Sequence, residues 1–576
     1  MLKKLLLGNE AVARGAYEAG VKVATAYPGT PSTEITECIA KYDNIYAEWS
    51  PNEKVALEVG IGACISGARS IVSMKHVGLN VAADPLFTVA YTGVNAGLVI
   101  VVADDPGMHS SQNEQNTRYY GMAANIPILE PSDSQEAKDY VLLGFELSEK
   151  YDTPVIIRMT TRVSHSQSLV EIDTPMKQEL KEYKKDANKY VMMPAMAKAR
   201  HIAVEDRMNR LREDSNHMPI NKIEWADREI GIITSGVPYL YSKDAFPKAS
   251  ILKLGMVYPF PDKIIRDFAS KVDKLYIVEE LEPFIEDHVK SMGITIYKDN
   301  LFSIQGELSS NIIYSKISEE DLNLKVQEAA PGRPPVLCPG CPHRGIYYTV
   351  KKLKLHAAGD IGCYTLGALP PLEGIDTCIC MGASIGMAHG IEKARGKDEA
   401  KKWIGVIGDS TFIHSGITGL IDIIYNSGIS TIAILDNSTT GMTGHQDHPA
   451  TGKTLKGEPA PILNLVELVK ALGVKNIEVV DAYNVDKIEA VLKEETQREE
   501  PSVVILSGPC ALLSKDKKDP FVINQDKCKH CNMCLRIACP AISKEGKNIE
   551  IDKALCDGCK LCANICRFNA IERLVD

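Results

Sequence analysis

The chain has 576 residues, of which 45% are hydrophobic, and a formal net charge of −10 at pH 7. This length allows several domains of ordinary globular composition, and the negative charge without a long basic run argues against nucleic acid as a partner. The N-terminus has only a very short apolar stretch, so we expect neither a signal peptide nor a membrane span. Sixteen cysteines without an export signal indicate a reducing compartment, and the default location is cytoplasmic.

The first 165 residues alternate strand-like and helix-like patterns. Short apolar runs of the buried-strand type occupy residues 21–26, 98–104 and 154–158. The first run leads into the turn Tyr27-Pro-Gly-Thr-Pro. The alternation predicts a parallel α/β domain over residues 1–165.

The next segment, residues 166–225, differs in composition. It is rich in Lys, Glu, Asp and Met and has little strand signal. We predict a helical connector whose charged side chains face solvent. Strand-like runs then return at 229–236 and 274–280, and they predict a second α/β domain over residues 226–329.

The C-terminal half is predicted to hold two further domains. The stretch Ala330-Pro-Gly-Arg-Pro-Pro has the composition of a linker and opens a third α/β domain over residues 330–512. The stretch Lys515-Asp-Lys-Lys-Asp-Pro is a polar hinge, and a small cysteine-rich domain occupies residues 515–576. The predicted fold class is multidomain α/β with a small α+β domain after it.

Two strand-like runs of the third domain end in polar residues. The run at 403–407 is followed by Gly408-Asp409-Ser410, and the run at 431–435 by Asp436-Asn437-Ser438-Thr439. Apolar residues at helical spacing separate the two runs, which predicts a βαβ unit. Both strand ends of such a unit open on the same sheet edge, where ligands bind.

This βαβ unit would present a carboxylate and a carboxamide side by side. Mg²⁺ prefers oxygen ligands in an octahedral array and commonly keeps phosphate oxygens among them. Asp409, Asn437 and the backbone carbonyl of Thr439 would supply oxygen ligands, and a diphosphate would supply others. The alternative is a strand-end Asp and a turn Asn that bind nothing, but the joint spacing favours the site.

Eight cysteines near the C-terminus fall in two runs with two-residue gaps. In the bacterial two-cluster ferredoxin pattern, three thiolates of one run and a fourth from the other hold each [4Fe–4S] cluster. Zinc is the alternative for paired Cys-x-x-Cys motifs, but it has no use for the third cysteine of each run. The sequence departs from this pattern in two places. Four residues rather than three separate Cys534 from Cys539, and Arg567 replaces the proline expected after Cys566. The predicted ligand sets are Cys528, Cys531, Cys534 and Cys566 for one cluster, and Cys556, Cys559, Cys562 and Cys539 for the other.

Two motifs resemble those of thiamine-diphosphate enzymes. The spacing of Gly408-Asp409-Ser410 and Asn437 is similar to their diphosphate signature, although Ser410 stands where Gly is commonest. The stretch from Asn52 to Arg69 resembles their pyrimidine-binding motif, and Glu53 matches its catalytic glutamate. The resemblance implies that Glu53 hydrogen-bonds the aminopyrimidine ring. It also implies that the cofactor is bound by Glu53, Gly408, Asp409, Ser410, Asn437 and Thr439.

Essentially the whole chain resembles the 2-oxoacid:ferredoxin oxidoreductases, and among them the large (alpha) subunit of the indolepyruvate enzymes. The resemblance rests on Ala26-Tyr-Pro-Gly-Thr-Pro-Ser-Thr-Glu-Ile, Cys338-Pro-Gly-Cys-Pro-His-Arg-Gly, Cys380-Met-Gly-Ala-Ser-Ile-Gly-Met and the cysteine-rich tail. It implies a pyrimidine-type domain over 1–165, a transketolase-C-like domain over 226–329, a diphosphate-type domain over 330–512 and a two-cluster ferredoxin-like domain over 515–576.

This family resemblance implies a reaction and its partners. The reaction is oxidative decarboxylation of an arylpyruvate with coenzyme A to an aryl-acetyl-CoA and CO₂, with reduction of ferredoxin. Thiamine diphosphate and Mg²⁺ are the implied cofactors, and a smaller beta subunit completes an α2β2 enzyme. One alternative is the same chemistry on pyruvate, 2-oxoglutarate or a branched 2-oxoacid. The other is a non-catalytic electron-transfer subunit, against which Glu53, Asp409 and Asn437 speak.

The resemblance also implies substrate contacts. Thr30 and Arg118 would hold the 2-oxoacid carboxylate, a task for which an Arg fork or hydroxyl donors are suited. A surface ion pair is the alternative for Arg118, and Glu58 is the alternative to Glu53 as catalytic glutamate. His76 and His109 are expected at the same sheet edge, but a lone histidine is more often structural and neither is assigned.

Relatives in this family often hold a further cluster next to the thiamine. Here Cys338 and Cys341 are followed by Cys363, and Cys510 follows the strand-like run 502–506, which resembles their ligand order although Pro342 replaces Gly. The alternatives are that these cysteines pack or bind zinc, or that Cys378 or Cys380 supplies a ligand. The remaining cysteines, Cys38 and Cys64, are predicted to be core residues.

Overall fold

The computed structural model describes residues 2–320, 335–514 and 518–574. The chain divides into two units, Met1–Gln327 and Glu328–Asp576. The predicted linker, apart from Pro335, and residues 515–517 of the predicted hinge lie outside the described residues. No helix in the described ranges is both long and apolar enough to cross a lipid bilayer.

Strands and helices alternate through most of the N-terminal unit, in agreement with the sequence pattern. Its strands are β1 (Leu2–Leu7), β2 (Val23–Ala26), β3 (Tyr46–Trp49), β4 (Ser70–Lys75), β5 (Leu98–Asp104), β6 (Ile128–Leu129), β7 (Val155–Thr160), β8 (Gln167–Ile172), β9 (Lys222–Glu224), β10 (Asp227–Ser235), β11 (Ala249–Leu254), β12 (Met256–Tyr258) and β13 (Lys274–Val278). Its helices are α1 (Gly8–Glu18), α2 (Thr33–Ile39), α3 (Glu53–Ile65), α4 (His76–Val81), α5 (Ala83–Thr92), α6 (Thr117–Ala124), α7 (Ser134–Tyr151), α8 (Thr161–His165), α9 (Ala187–Tyr190), α10 (Pro194–Ser215), α11 (Gly236–Ala245), α12 (Asp262–Ala269), α13 (Phe284–Ser291) and α14 (Ser310–Ser318).

Seven of these strands form one sheet in the order β12-β6-β7-β5-β4-β2-β3. Every pairing in it is parallel except that of β12 with β6. All residues of β4, β5 and β7 are buried, which explains why these strands appear in the sequence as continuous apolar runs. Because the strands are parallel, the Tyr27–Pro31 turn, Lys75 and Asp105 follow or end neighbouring strands at one sheet edge.

A second, four-stranded sheet has the order β13-β10-β11-β9. The pairs of β10 with β11 and with β13 are parallel, and β9 is antiparallel to β11. The two sheets exchange edge strands, because β9 lies in the predicted connector and β12, from the predicted second domain, joins the seven-stranded sheet. The predicted boundary at residue 225 therefore does not separate the two sheets. Both edge strands have three residues, too few for periodicity to reveal them.

The predicted helical connector over 166–225 is helical only in part. Its main element is α10, which has 22 residues and begins with Pro194 at its first turn. The segment opens instead with β8, which pairs antiparallel with β1 from Leu2↔Ile172 to Leu7↔Gln167. Most residues of β1 are exposed, so no buried stripe marked this two-stranded sheet in the sequence.

The C-terminal unit begins with an α/β layer. Its strands are β14 (His356–Gly359), β15 (Thr377–Cys378), β16 (Trp403–Gly408), β17 (Thr431–Asp436), β18 (Asn476–Asp481) and β19 (Ser502–Ser507). Its helices are α15 (Arg344–Leu353), α16 (Ala383–Arg395), α17 (Lys397–Ala400), α18 (Asp409–Thr411), α19 (Ile417–Tyr425), α20 (Leu465–Ala471) and α21 (Val485–Glu495), with a 3₁₀ turn at Cys363–Ala368 and a π turn at Phe412–Gly416. The strands form a wholly parallel sheet in the order β15-β14-β16-β17-β19-β18, which contains the predicted βαβ unit of β16, α19 and β17.

The cysteine-rich part of this unit is built from short elements. They are β20 (Phe521–Ile523), a 3₁₀ turn (Met533–Ile537), β21 (Ile542–Glu545), β22 (Asn548–Ile551), α22 (Leu561–Ile565) and β23 (Ile571–Arg573). The antiparallel pairs are β20 with β23 and β21 with β22. One continuous hydrophobic core includes Phe521, Ile537 and Leu561 from this part together with Ile346 and Leu506 from the α/β layer. The two parts therefore share a core, which no local sequence pattern predicted.

Arg344, the first residue of α15, joins these two parts. Its guanidinium is 1% exposed and donates to four carbonyl oxygens, of Leu337 and Cys338 on one side and of Ile537 and Ala538 on the other. The guanidinium thus satisfies acceptors from both parts at once.

Arg344→Met should destabilise the C-terminal unit, because each buried carbonyl left without a donor costs about 1–3 kcal/mol. We expect the corresponding calorimetric transition of the full chain to shift clearly to lower temperature. The matched control is Lys352→Met on the same helix, which removes only an exposed ion pair with Glu489. Equal shifts for the two variants would contradict this role of Arg344.

Candidate cofactor and cluster sites

The ends of β16 and β17 bring the residues of the predicted diphosphate site together. Asp409 follows β16 and Asn437 follows β17, and the parallel pairing of these strands puts them side by side. One terminal atom of the Asn437 amide lies 3.3 Å from Asp409 Oδ1 and 2.9 Å from the Thr439 carbonyl oxygen. All three residues are more than nine-tenths buried.

This convergence suits a cation. With the amide oxygen of Asn437 on the inner side, three oxygen atoms face one another, an arrangement that a bound cation would stabilise. With the amide turned over, its N–H group would bridge the other two oxygens. Carboxylate, amide and carbonyl oxygens are the ligands that Mg²⁺ takes, so the donor set of Asp409, Asn437 and Thr439 fits this metal.

Backbone groups fix the Asp409 carboxylate. The Ser410 N–H donates to Oδ1 over 2.8 Å and the Ser438 N–H donates to Oδ2 over 2.9 Å. Gly408 is required beside it, because a Cβ at this position would lie 2.6 Å from the ring of Tyr364. The carboxylate is therefore held in one orientation before any ligand arrives.

Two buried histidines near Asp409 were not singled out from the sequence. His448 Nε2 lies 3.3 Å from Asp409 Oδ2. Burial lowers the pKa of His343 to about 4, against the opposing effect of Asp409. Neither ring nitrogen of His343 has a hydrogen-bond partner among the described residues. The one sequence signal was the place of His343 in the Cys338-Pro-Gly-Cys-Pro-His-Arg motif.

Glu53, the predicted catalytic glutamate, is the first residue of α3 and is 4% exposed. Its helix is capped by Asn52, whose side-chain oxygen accepts from the Val55 N–H over 2.9 Å. The carboxylate lies against Gly78, where an added Cβ would come within 2.6 Å of Oε1. The alternative candidate, Glu58, is exposed and forms an ion pair with Lys54, so Glu53 is the enclosed carboxylate of the two.

Thr30 lies in the turn after β2, where it is partly exposed. Its carbonyl oxygen accepts from the Ser110 hydroxyl over 3.1 Å. This contact links the turn to the loop after β5. Thr30 thus lies at the sheet edge formed by the carboxyl ends of β2, β4 and β5, which we call the ligand edge of the seven-stranded sheet.

Arg118 does not present a free fork at this edge. Its guanidinium is 1% exposed, and Nη1 donates to Glu279 Oε2 over 2.7 Å while Nη2 donates to the Glu280 carbonyl over 2.7 Å. Nε donates to Asn116 over 2.9 Å. Arg118 is therefore a buried ion pair between α6 and the loop after β13. This is close to the alternative foreseen for it, except that the pair is internal.

The two unassigned histidines differ. His109 is half exposed and lies 3.1 Å from Glu307 Oε2. His76 follows β4 and is 1% exposed, and neither of its ring nitrogens makes a hydrogen bond of ordinary geometry. Burial lowers the pKa of His76, while Asp104 and Asp105 raise it.

The four cysteines expected next to the cofactor are electrostatic neighbours. Burial raises the pKa of Cys341 to about 12, and the thiols of Cys338 and Cys363 contribute. Burial raises the pKa of Cys363 to about 11, and Cys510 and Cys338 contribute. For the alternative ligands, Asp360 raises the pKa of both Cys378 and Cys380, and Cys380 also raises that of Cys378. This pattern supports Cys363 and Cys510 over Cys378 or Cys380 as partners of Cys338 and Cys341, and the cluster itself stays a prediction.

The eight C-terminal cysteines affect one another's pKa across the two runs, and their division into two cluster-ligand sets stays a prediction. Burial raises the pKa of Cys534 to about 11, and its thiol neighbours are Cys531, Cys528 and Cys566. Burial raises the pKa of Cys559 to about 11, and its neighbours are Cys539 and Cys556. Cys562 neighbours the second group and also Cys534, so the two groups adjoin. Cys539, which follows the long gap after Cys534, is among the thiols that raise the pKa of Cys559.

Cys64 and Cys38 lie outside the cysteine groups described above. Cys64 is fully buried and its thiol donates to the Ala96 carbonyl oxygen over 3.0 Å, as expected of a core residue. Cys38 is partly buried. Within the described ranges, no group of three or more His, Cys, Asp or Glu side chains is arranged to hold a metal ion. The cysteine groups above are defined by their mutual electrostatic effects.

Comparison with known proteins identifies the family. The protein named indolepyruvate oxidoreductase subunit IorA of Archaeoglobus fulgidus is 41% identical over 613 residues, which cover 99% of this chain and 97% of that protein. The protein of the same name from Pyrococcus horikoshii is also 41% identical, over 99% of this chain and 97% of its own length. This chain belongs to the IorA family.

Family models match three parts of this IorA-family chain. "Pyruvate flavodoxin/ferredoxin oxidoreductase, thiamine diP-bdg" matches residues 14–228, and "Thiamine pyrophosphate enzyme, C-terminal TPP binding domain" matches 360–506. "4Fe-4S binding domain" matches 549–572, which covers the second cysteine run alone. The chain is therefore part of a thiamine-diphosphate-dependent 2-oxoacid:ferredoxin oxidoreductase that carries an iron–sulfur cluster.

The matched ranges bear on the earlier expectations. The first spans Thr30, Glu53 and Arg118, and it continues through the predicted connector, in keeping with the strand pairings there. The second spans Asp409 and Asn437. A 2-oxoglutarate synthase subunit KorA of Archaeoglobus fulgidus is 23% identical over 48% of this IorA-family chain and 88% of its own length.

Proposed function

We propose that this chain is the catalytic subunit of an enzyme that oxidatively decarboxylates arylpyruvates, indolepyruvate among them, with coenzyme A. The products are an aryl-acetyl-CoA and CO₂, and the electrons pass through iron–sulfur clusters to ferredoxin. Support for the substrate class comes from the two IorA relatives, which are named for indolepyruvate and match along nearly their whole length. A smaller beta subunit is proposed as the partner in an α2β2 assembly.

One observation carries the proposal: the diphosphate-site residues adjoin a four-cysteine group. The Cys510 N–H donates to the carbonyl oxygen of Asn437 over 3.1 Å. Cys363 Sγ lies 3.4 Å from where a side chain of Gly441 would begin, in the loop that follows Thr439. A decarboxylase without oxidation has no use for an electron acceptor there, whereas an oxidoreductase that releases electrons singly needs one close by.

The residues of each unit have distinct tasks in this proposal. Thiamine diphosphate, when bound, supplies the electron sink that lets a 2-oxoacid lose CO₂. Asp409, Asn437 and Thr439 would hold Mg²⁺ and through it the diphosphate, with Gly408 and Ser410 beside them. Glu53 would hold a proton at the aminopyrimidine ring, for which its enclosed position is suited.

We propose three [4Fe–4S] clusters and an order for them. The group of Cys338, Cys341, Cys363 and Cys510 would hold the one next to the cofactor. Arg344 donates to the carbonyl oxygens of Cys338, in the first group, and of Ala538, the residue before Cys539, so the first group neighbours the Cys539–Cys559 group. Cys534 is in turn among the thiols that raise the pKa of Cys562. Electrons would therefore pass through the cluster of Cys539, Cys556, Cys559 and Cys562 before they reach the cluster of Cys528, Cys531, Cys534 and Cys566.

Cys341→Ala tests the cluster beside the cofactor. We expect iron in the full chain, prepared without oxygen, to fall from about twelve to about eight per chain, since each cluster contains four irons. Thiamine diphosphate should still bind, because the diphosphate-site residues are unchanged. The control is Cys64→Ala, which alters a buried cysteine outside the three groups. Equal iron in Cys341→Ala and in the unaltered chain would refute this cluster.

The reaction itself is tested with the reconstituted two-subunit enzyme. Reduction of ferredoxin or a viologen dye is followed with coenzyme A and a panel of 2-oxoacids: indolepyruvate, phenylpyruvate, pyruvate, 2-oxoglutarate and a branched 2-oxoacid. We expect the arylpyruvates to have the highest kcat/KM and the reaction to require coenzyme A. A higher kcat/KM for 2-oxoglutarate would move the assignment toward the chemistry for which the KorA relative is named.

A non-catalytic electron-transfer subunit is the second candidate. Such a subunit would need the C-terminal cysteine groups but neither an enclosed Glu53 nor the convergence of Asp409, Asn437 and Thr439. Quantification of thiamine diphosphate in the purified chain separates the two candidates. Absence of the cofactor after reconstitution with Mg²⁺ would favour the electron-transfer subunit.

A further inference from the structure

A 2-oxoacid carries a carboxylate, and few cations at the ligand edge of the seven-stranded sheet are free to receive it. Arg118 is paired with Glu279. Arg158 is paired with both Asp104 and Glu130, over 2.6 Å each. Arg162 is paired with Glu307. Each of these cations already faces a carboxylate.

Lys75, the last residue of β4, is the exception. It is 8% exposed, and its Nζ donates to the Ser110 carbonyl oxygen over 2.6 Å and to the Ser110 hydroxyl over 3.4 Å. In the ranges that the structure describes, no carboxylate forms an ion pair with it. Its hydrogen-bond partners are therefore neutral.

The nearest carboxylate to this group is engaged elsewhere. Asp105 accepts from the Ser110 N–H over 2.8 Å, from the Ser111 hydroxyl and from the Thr161 hydroxyl over 2.6 Å. A buried cation without an adjacent counter-charge is costly to keep in a folded protein and is a common mark of a site that receives an anion. The cost at Lys75 is not relieved by Asp105, which acts on it only at longer range.

Lys75 is packed against the turn that carries Thr30. A Cβ added at Gly29 would lie 3.1 Å from the Lys75 Cβ, so the absence of a side chain at Gly29 permits this approach. The Ser110 hydroxyl, which contacts Lys75 Nζ, also donates to the Thr30 carbonyl oxygen. Lys75 and Thr30 thus share one neighbour at the edge where α/β sheets bind ligands.

We propose that Lys75 receives the carboxylate of the 2-oxoacid substrate, beside Thr30. This inference rests on the proposed function for the identity of the anion. An ammonium can pair with one carboxylate oxygen while the Ser110 oxygens keep its other protons engaged. Because no carboxylate of the described residues forms an ion pair with Lys75, the substrate would bind without first breaking one.

The primary test is equilibrium binding of a non-reactive carboxylate, which does not depend on turnover. Indole-3-propionate and its uncharged amide are titrated into the full chain with its beta subunit, by calorimetry. The unaltered protein should prefer the carboxylate over the amide by about tenfold or more. Lys75→Met should lose this preference, and Lys75→Arg should keep much of it, because only the arginine retains the charge.

Steady-state kinetics of Lys75→Met provide a second test of the proposal. In Lys75→Met we expect KM for the 2-oxoacid to rise about tenfold or more, with a smaller change in kcat and none in KM for coenzyme A. A rise in KM for coenzyme A instead would assign Lys75 to a phosphate of that molecule and would overturn the proposal. The matched comparison is the double variant Arg118→Met with Glu279→Gln, which removes the buried ion pair and should leave carboxylate preference unchanged.

The pH dependence gives a third readout. Burial lowers the pKa of Lys75 to about 8, with Asp105 opposing, so the ammonium is lost as pH rises through 8. KM for the 2-oxoacid should therefore rise above pH 8 in the unaltered enzyme and stay level in Lys75→Arg. Titratable side chains on the elements around Lys75 include Tyr27, Glu53, His76, Asp104, Asp105 and His109, and they are the same in both proteins.

The outcomes separate this inference from the proposed function. If arylpyruvates are not oxidised but the carboxylate preference vanishes in Lys75→Met, the function is wrong and the anion site stands. If arylpyruvates are oxidised but Lys75→Met keeps the carboxylate preference and an unchanged KM, the function stands and the anion site is wrong. A carboxylate preference that disappears only in the Arg118 double variant would return the role to Arg118.

Discussion

Asp409→Ala should abolish binding of thiamine diphosphate at concentrations that saturate the unaltered chain. The carboxylate is the only formal negative charge among the three groups that converge at the ends of β16 and β17. Without it, Mg²⁺ would keep two neutral oxygen ligands, and the diphosphate would lose its metal bridge to the protein. We expect the apparent Kd for thiamine diphosphate to rise by about 100-fold or more, as measured by titration in the presence of Mg²⁺.

Two control variants show whether the loss belongs to the metal site. Asp409→Asn keeps the shape of the side chain and one of the two oxygen acceptors that the Ser410 and Ser438 amides use, yet it removes the charge. Asp436→Ala removes a neighbouring carboxylate that accepts from Ser438 and Ser507. The asparagine variant should bind the cofactor poorly and the Asp436 variant nearly normally. Tight binding by both Asp409 variants would refute the metal-site assignment.

The meeting of Asp409 and Asn437 was predictable from sequence because it depends on a single βαβ unit. The apolar runs at 403–407 and 431–435 are buried strands of a parallel pair, and a parallel pair joined by one helix must open both strand ends on the same edge. Asp409 and Asn437 therefore had to meet. The ligand sets of the two C-terminal clusters were inferred in a similarly local way, because the two-residue gaps limit which thiols can share a cluster, and they remain predictions.

The connections between sheets were not predictable in the same way. The strands β9 and β12 have three residues each, and their pairing partners lie in other segments, at β11 and β6. Nothing in so short a segment distinguishes an edge strand from a loop. The shared core of the α/β layer and the cysteine-rich part was unpredictable for the same reason, because nothing in the sequence around Ile346 or Leu561 indicates which residues each one contacts.

Charged residues show most clearly what could not be predicted from the sequence. Arg118 was expected at the substrate, and in the structure its guanidinium is paired with Glu279, which lies 161 positions further along the chain. Lys75 gave no signal at all, because a lysine at a strand end is usually a solvated charge. Only the structure shows that its nitrogen is buried against neutral oxygens. Tertiary contacts decide whether a charge is free or paired, and local sequence patterns do not contain that information.

Glu53→Gln should leave thiamine diphosphate bound but stop turnover. The amide has nearly the same shape as the carboxylate, so the packing against Gly78 is kept, but it cannot hold and release a proton at the aminopyrimidine ring. We expect kcat to fall by about 100-fold or more, within the range typical for loss of a general acid–base group. Exchange of the thiazolium C2 proton, followed by NMR after acid quench, should slow in proportion.

Two comparisons decide between Glu53 and Glu58. Glu58→Gln breaks only an exposed ion pair with Lys54 and should leave C2 proton exchange unchanged. Gly78→Ala keeps the Glu53 carboxylate but places a methyl group within 2.6 Å of its present position, so it should displace the carboxylate and slow exchange as well. This second variant separates the chemistry of Glu53 from its placement, because no titratable group is altered. Rapid exchange in Glu53→Gln together with slow exchange in Glu58→Gln would transfer the catalytic role to Glu58, and the enclosure of Glu53 would then be a matter of packing alone.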